Sequence, residues 1–551
     1  MDNKRVFLAV SLCIVVLVLW NILFPPVPPV QQQAEQTART EEKAGSGREK
    51  EAQAPQDTAG EKADTAADRA EAEVDEDFVP ESGREVEVDT PLYKAVFNSQ
   101  GGIVEQFELK KYEQTIKPDS EQVDLITHRA LAKGPMGVIW DRRPTWSEGE
   151  WALEGGDLRL EKGEKKSLEF TGRMDDLRFV RELVFEGGSY VVEETLTVID
   201  TGGSPNAGEL AFVLSTPTLS SEDNRYNRTQ IMYRNQEGIS KEDDADDLRE
   251  IGIKTGMGVD WGGISSNYFL LGMIPDTKDM YFKARLEDDI YRLALVRDFD
   301  IPADSARRVT CTYYLGPKVG SQLAKAPNDL KSSLQYGWAF FDLIAKPLMQ
   351  VLNFFYEYTG NYGIAIIILT IIIKIIFWPL SQKSYKSMNK MKKIQPMMTK
   401  IKEKYKDDRQ KMNEEMMRLY KTYKVNPAGG CLPMLVQIPV FIALYQALLS
   451  AIELRHAPFI YHLPFTDIVW LADLSAKDPL YITPLIMGAT MFMQQKMTPS
   501  PGDPTQAKIM LFMPVVFTFI FLTFPSGLVV YWLANNVLSI AQQWWMLKKE
   551  A

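Results

Sequence analysis

One lysine, Lys374, stands inside an otherwise uncharged apolar run from Ile364 to Leu380, and that run is one of six in the chain. A stretch of about 20 apolar residues crosses the hydrocarbon layer as a helix. The runs predict an anchor at 1–24 and five further spans at 359–381, 430–452, 479–497, 509–524 and 527–546. Averages over the 551 residues, 45% hydrophobic and 25% charged, conceal this segregation. The first run, Val6 to Phe24, follows Lys4 and Arg5 and ends at Pro25 and Pro26 without a small-residue cleavage site. It therefore reads as an uncleaved anchor rather than a signal peptide. Lys4 and Arg5 put the N-terminus in the cytoplasm. Six crossings return the C-terminus, with Lys548 and Lys549, to the same side. The segment 381–424 also falls inside, and holds fourteen Lys and Arg against five Asp and Glu. Charge and alternation thus give one topology.

Between the anchor and the remaining runs the composition changes twice. Residues 25–81 are rich in Gln, Glu, Ala, Thr, Asp and Pro, too polar to offset the entropy of ordering, and are expected to be a disordered tether. Residues 82–325 show short alternating runs, such as Tyr190 to Val198 and Arg308 to Leu315. Gly101-Gly102, Gly155-Gly156, Gly187-Gly188 and Gly202-Gly203 punctuate them as turns. An all-β sandwich on the periplasmic side follows. Residues 326–358 are expected to form an amphipathic helix broken near Pro347, lying either on the outer membrane face or on the sandwich. Residues 382–425 suit a cytoplasmic helical hairpin with a Met-rich seam and basic faces, turning at Asp407 and Asp408. Those faces could meet anionic phospholipids or ribosomal RNA. A periplasmic loop at 453–478 and a tail at 547–551 complete the chain.

Enzyme chemistry is not visible. There is no GxxxxGK phosphate loop, HExxH or GxSxG, and His128, His456 and His462 complete no metal site. The three cysteines, Cys13, Cys311 and Cys431, lie in separate regions. No catalytic residue, cofactor or metal is expected. A charge at the centre of a span costs about 2.5–3.5 kcal/mol. Lys374 either snorkels to the inner surface or faces a wet cavity within the bundle. Thr370 lies one turn earlier on the same face. Gln437, Gln494, Gln495, Asn535, Asn536, Ser539 and Gln542 add polar groups biased to the cytoplasmic half. Each alone could be interhelical glue; together they favour a cavity. The spans carry no acidic residue, which disfavours a cation or proton relay. The short fifth span would thin the bilayer beside the cavity.

Several stretches carry a family resemblance: Trp378 to Leu380, Ile394 to Pro396, Val425 to Pro433, Gln437 to Pro439, Glu453 to Phe459, Met510 to Pro514 and Phe524 to Leu528. In this order, over about 340–547, they resemble the YidC/Oxa/Alb insertase family. The anchor and large outer domain resemble its Gram-negative form, which implies a β-supersandwich for that domain. The resemblance implies insertion and folding of nascent inner-membrane proteins through a groove open to cytoplasm and lipid. Implied partners are the Sec translocon (SecYEG, SecDF), the ribosome and the signal-recognition-particle receptor. It aligns Lys374 with a groove position that is usually arginine, and Thr370 and Trp532 with substrate-contact positions, Trp replacing a familiar tyrosine. Other classes remain open at this point: a small-solute transporter, or an envelope scaffold whose outer domain binds glycan or partner proteins.

Overall fold

A computed structural model describes residues 83–219, 227–337, 339–425, 432–497 and 504–550; the expected anchor at 1–24 and tether at 25–81 lie outside the described residues. From Glu85 to Pro317 the chain is mainly strand, in three sheets. The largest has nine strands in the spatial order 238–242, 230–235, 261–265, 269–275, 306–317, 191–200, 177–186, 165–174 and 150–154. A six-stranded sheet centres on the pair 206–217 and 290–301, and a five-stranded sheet on 85–89, 93–98 and 103–113. Alternation sets the inner faces: Val192, Leu196 and Val198 are fully buried, and their strand pairs antiparallel with the strand carrying Val309, Cys311 and Tyr313. Gly101 and Gly102 turn at φ +80° and +61°, a conformation glycine adopts without steric cost.

A charge also points into this core. Arg181 shares the inward row with Phe179 and Leu183 and has no exposed side-chain surface. Its Nε donates to Glu194 Oε1 at 2.6 Å and its Nη2 to the Met136 carbonyl at 2.5 Å, while Nη1 donates to the Gly101 carbonyl. Tyr313 donates its hydroxyl to Glu194 Oε2 at 2.9 Å. The guanidinium thus ties two loops to the large sheet, with donors and carboxylate oxygens satisfied.

Residues 326–337 do not begin the amphipathic helix. Asn328 and Asp329 both adopt φ +53°, Leu330–Ser333 is a single 3-10 turn, and Gly337 turns at φ +96°. Leu330 is buried in the sandwich core instead. The helix, α1, is Ala339–Thr359 and runs unbroken through Pro347. Its Ala345, Met349 and Leu352 are buried in the helical core, so its apolar side covers the bundle rather than the sandwich, while Phe340, Leu343, Phe354 and Tyr358 are exposed.

The next helix, α2, is Tyr362–Lys404, 43 residues without interruption, where separate span and hairpin helices were expected. Pro379 and Pro396 each lack one donor, but the flanking turns keep helical geometry. After Asp408, whose carboxylate accepts from the Lys411 amide at 2.9 Å, α3 (Arg409–Thr422) returns. Ile394, Met398 and Val425 form the hairpin's seam. Then follow α4 (Leu432–Ser450), α5 (Ile482–Met497), α6 (Pro504–Phe521) and α7 (Ser526–Glu550). Among the described residues only α2 is long and apolar enough to meet a full membrane-crossing criterion; Leu435–Ser450 and Met510–Phe521 are shorter apolar stretches. The sandwich meets the bundle at the last turn of α4 and just after it. Ile452 joins the sandwich core, Asn267 donates to the Leu449 carbonyl at 3.2 Å, and Arg455 donates to the Glu113 carbonyl at 2.6 Å.

Candidate substrate groove

The site is built on α7. Its first turn is anchored in the preceding loop: Ser526 donates its amide to the Ala476 carbonyl at 2.7 Å and its hydroxyl to the Asp473 carbonyl at 2.9 Å. Asp478 holds the start of α5, accepting from the Thr483 amide and hydroxyl, both at 2.7 Å. These two anchors fix α5 and α7 side by side at their outer ends.

Asn535, Ser539 and Gln542 recur at helical spacing and give α7 a polar stripe. Lys374 on α2 reaches it, its ammonium donating to Ser539 Oγ at 2.7 Å. Ser539 donates in turn to the Asn535 carbonyl at 2.7 Å. On the other side, Gln437 of α4 donates to Asn535 Oδ1 at 2.9 Å. Lys374, Gln437 and Asn535, far apart in sequence, thus form one hydrogen-bonded ladder across three helices. The ammonium is held by a neighbouring helix, an arrangement that snorkelling does not require.

Of the remaining expected residues, Thr370 and Trp532 lie one turn from members of this ladder. Thr370 is buried one turn from Lys374, but its hydroxyl donates to the Ile366 carbonyl of its own helix at 2.7 Å. Gln494 is half-buried on α5 and is not joined to Lys374 by a direct hydrogen bond. Trp532 lies one turn outward from Asn535, edge-on to Phe441 with centroids 4.6 Å apart, and near Phe521 and Phe517 at 5.1 and 6.1 Å. It belongs to an aromatic wall rather than to the ladder.

Some members were not visible as partners in the sequence. Asn536 donates to Thr490 Oγ1 at 3.4 Å, and Gln543 to the Met497 carbonyl at 2.8 Å, carrying polar contacts to α5. Gln542 Nε2 and Gln543 Oε1 are buried without a hydrogen-bond partner among the described residues. Such atoms are costly in an apolar setting unless water or a polar ligand reaches them. The Ser539 partner could have been guessed from its place on the α7 stripe; Thr490 gave no signal.

The chain that carries this ladder matches known proteins along its whole length. Residues 354–551 match the family described as 60Kd inner membrane protein, and residues 85–351 match the YidC periplasmic domain. The membrane protein insertase YidC of Oleidesulfovibrio alaskensis is 53% identical over 556 residues, covering 100% of both chains. That of Maridesulfovibrio salexigens is 51% identical, covering 100% of this chain and 99% of the relative. The chain belongs to the YidC family of membrane protein insertases. Within that family the β-rich unit is the periplasmic domain and the helical unit is the inner-membrane part. A crystal structure of an active YidC insertase is 18% identical, with a TM-score of 0.36, covering 84% of this chain and 92% of that one.

Proposed function

We propose that the chain is a membrane protein insertase that accepts nascent inner-membrane proteins into a groove between α2, α4, α5 and α7. The observation that carries this reading is the ladder from Lys374 through Ser539 and Asn535 to Gln437 inside an apolar bundle. Its work is the transfer of polar segments across lipid, with no bond made or broken.

Lys374 attracts the acidic or polar tail of a client. The unpartnered amide atoms of Gln542 and Gln543 offer it, or the water that carries it, further hydrogen bonds. Thr370 and Gln494 border the ladder, and Trp532 with Phe441 and Phe521 forms the apolar wall along which an arriving helix passes into lipid. The path is a slide rather than a continuous pore, because the polar stripe gives way to aromatic rings at Trp532.

The topology that serves this has six spans, the first at 1–24, with both termini and the α2–α3 hairpin in the cytoplasm and the β domain outside. The hairpin's lysines suit anionic phospholipid and the ribosome. The Sec translocon (SecYEG, SecDF) and the signal-recognition-particle receptor are the further partners of this reading. Photo-crosslinkers at Thr370 and Trp532 should capture ribosome-bound nascent membrane proteins. Failure at both positions in a folded variant would exclude the groove.

A further inference from the structure

A second concavity lies between α5 and α6, outside the ladder. Leu485, Gly488 and Phe492 of α5 face Val515, Thr518 and Phe519 of α6 across a groove of about 330 Å³. Thr518 is the lining's one polar side chain, and its hydroxyl is already donated to the Pro514 carbonyl at 2.7 Å. The helices close on each other at Gly488, where an added Cβ would fall 2.0 Å from Thr518 Oγ1. Both helices then carry an exposed lysine on the groove-lining stripe. Lys496 follows Phe492 by one turn and Leu485 by three; Lys508 precedes Val515 by two turns and Phe519 by three. Since α5 ends where α6 begins, both ammonium groups stand at the same end of the groove. Lys496 lies over the Phe492 ring, its Nζ 4.9 Å from the centroid, which keeps the charge at the groove mouth. Between residues 479 and 549 the sequence holds a single carboxylate, Asp503, so positive charge prevails at this end.

We infer that this groove is a binding site for one anionic phospholipid, with an acyl chain along Leu485, Phe492 and Phe519 and the phosphate between Lys496 and Lys508. Any lipid tail can line an apolar groove in a membrane, and the lining itself cannot select, because tail and lining are equally apolar. Selection comes from the headgroup. A lysine near a membrane surface favours anionic over zwitterionic lipid by about fivefold, and two acting together by roughly 30-fold. The inference rests on reading α5 and α6 as membrane spans; binding in detergent is independent of client insertion, so either reading can fail without the other.

The test is native mass spectrometry of the purified full chain with phosphatidylglycerol or phosphatidylcholine of matched acyl chains. The chain should retain one phosphatidylglycerol in preference to phosphatidylcholine. Lys496→Gln with Lys508→Gln should reduce that preference by roughly 30-fold. Ala489→Phe, at an exposed lining position, should remove this tightly held lipid whatever its headgroup. If Ala489→Phe is misfolded, a phosphatidylglycerol with a photoreactive acyl chain replaces it and should label α5 and α6 of the unmodified chain. An unchanged preference in the double variant, or labelling confined to other helices, overturns the site. So does capture of a nascent client, in place of lipid, by a crosslinker at Phe519.

Discussion

Replacing Lys374 by methionine separates the charge in the groove from the fold around it. The two side chains have similar length, so packing against α7 is kept. Ser539 keeps its donor satisfied, because its hydroxyl already goes to the Asn535 carbonyl at 2.7 Å. No buried donor is orphaned, and a charge costing about 2.5–3.5 kcal/mol at a span centre is removed. The variant should therefore be at least as stable as the unmodified chain. What it loses is attraction for a client. An acidic group at roughly 6 Å, with an effective dielectric constant of ~20, gains about 3 kcal/mol from the ammonium. That is a ceiling of roughly 100-fold in rate, and a water-filled groove lowers it. The assay is insertion into proteoliposomes of one client carrying either an acidic or a neutral translocated tail, scored by protease protection. Lys374→Met should slow the acidic-tailed client at least about tenfold and the neutral one less than about twofold. Lys374→Arg should retain activity, since charge rather than fork geometry is what the tail senses. Equal loss for both tails, or strong loss in the Arg variant, would refute the electrostatic role.

Other perturbations probe the frame. Glu194→Leu leaves Arg181 charged and unpaired in the sandwich core, and should destabilise that domain by about 3–5 kcal/mol, seen as an earlier unfolding transition in calorimetry. Burial, with Lys241 nearby, pushes the Lys318 ammonium down to about 7, and its Nζ has Ser265 Oγ and the Ser266 carbonyl at 3.3 Å. The unfolded chain then holds more protons between pH 7 and the ordinary lysine range, so domain stability should rise with pH through that window and level off below it. Lys318→Met should flatten the rise in denaturant titrations across pH. Arg455→Ala removes the link to the Glu113 and Gln114 carbonyls, and hydrogen exchange should accelerate around 112–115 while insertion of simple clients continues.

What could be read from the chain followed the range of the forces involved. Apolar runs and period-two alternation are local, so the helical bundle and the strands at 191–200 and 306–317 were visible in the residues themselves. Lys374 was visible as a misfit because a lone charge in a span is costly. Which residue of the α7 polar stripe would hold it was not fixed, since Ser539 lies 165 residues away and only packing of α2 on α7 joins them. Local rules also misled. Pro347 argued for a break that α1 does not have, and helical spacing around Leu334 suggested a helix where Asn328, Asp329 and Gly337 turn the backbone through positive φ. Arg181 sat on the inward parity of its strand, but nothing local announced Glu194 as its counter-ion.

The ladder and the lengths of its neighbouring helices together suit short client tails. Along α7 the polar stripe reaches from Gln542 to Asn535, about 10 Å at helical rise. Outward from Asn535 to Ser526 a further ~13 Å is lined by Trp532 and other apolar side chains. In a bilayer of full hydrocarbon thickness, about 30 Å, a tail leaving the ladder would still face a long dehydrated stretch. The adjoining apolar stretches are short: Met510–Phe521 covers ~18 Å and Leu435–Ser450 ~24 Å. On the six-span reading proposed above, lipid beside them thins to match. In that reading the thinning removes part of the dehydrated stretch, while the ladder would carry the tail over the part proposed to face the cytoplasm. Neither device suffices alone: the stripe ends at Asn535, and thin lipid without Lys374 offers a polar group no attraction. A tail with few charges crosses the remaining gap; each further charge adds its own desolvation cost there, with no second ammonium in the ladder to offset it.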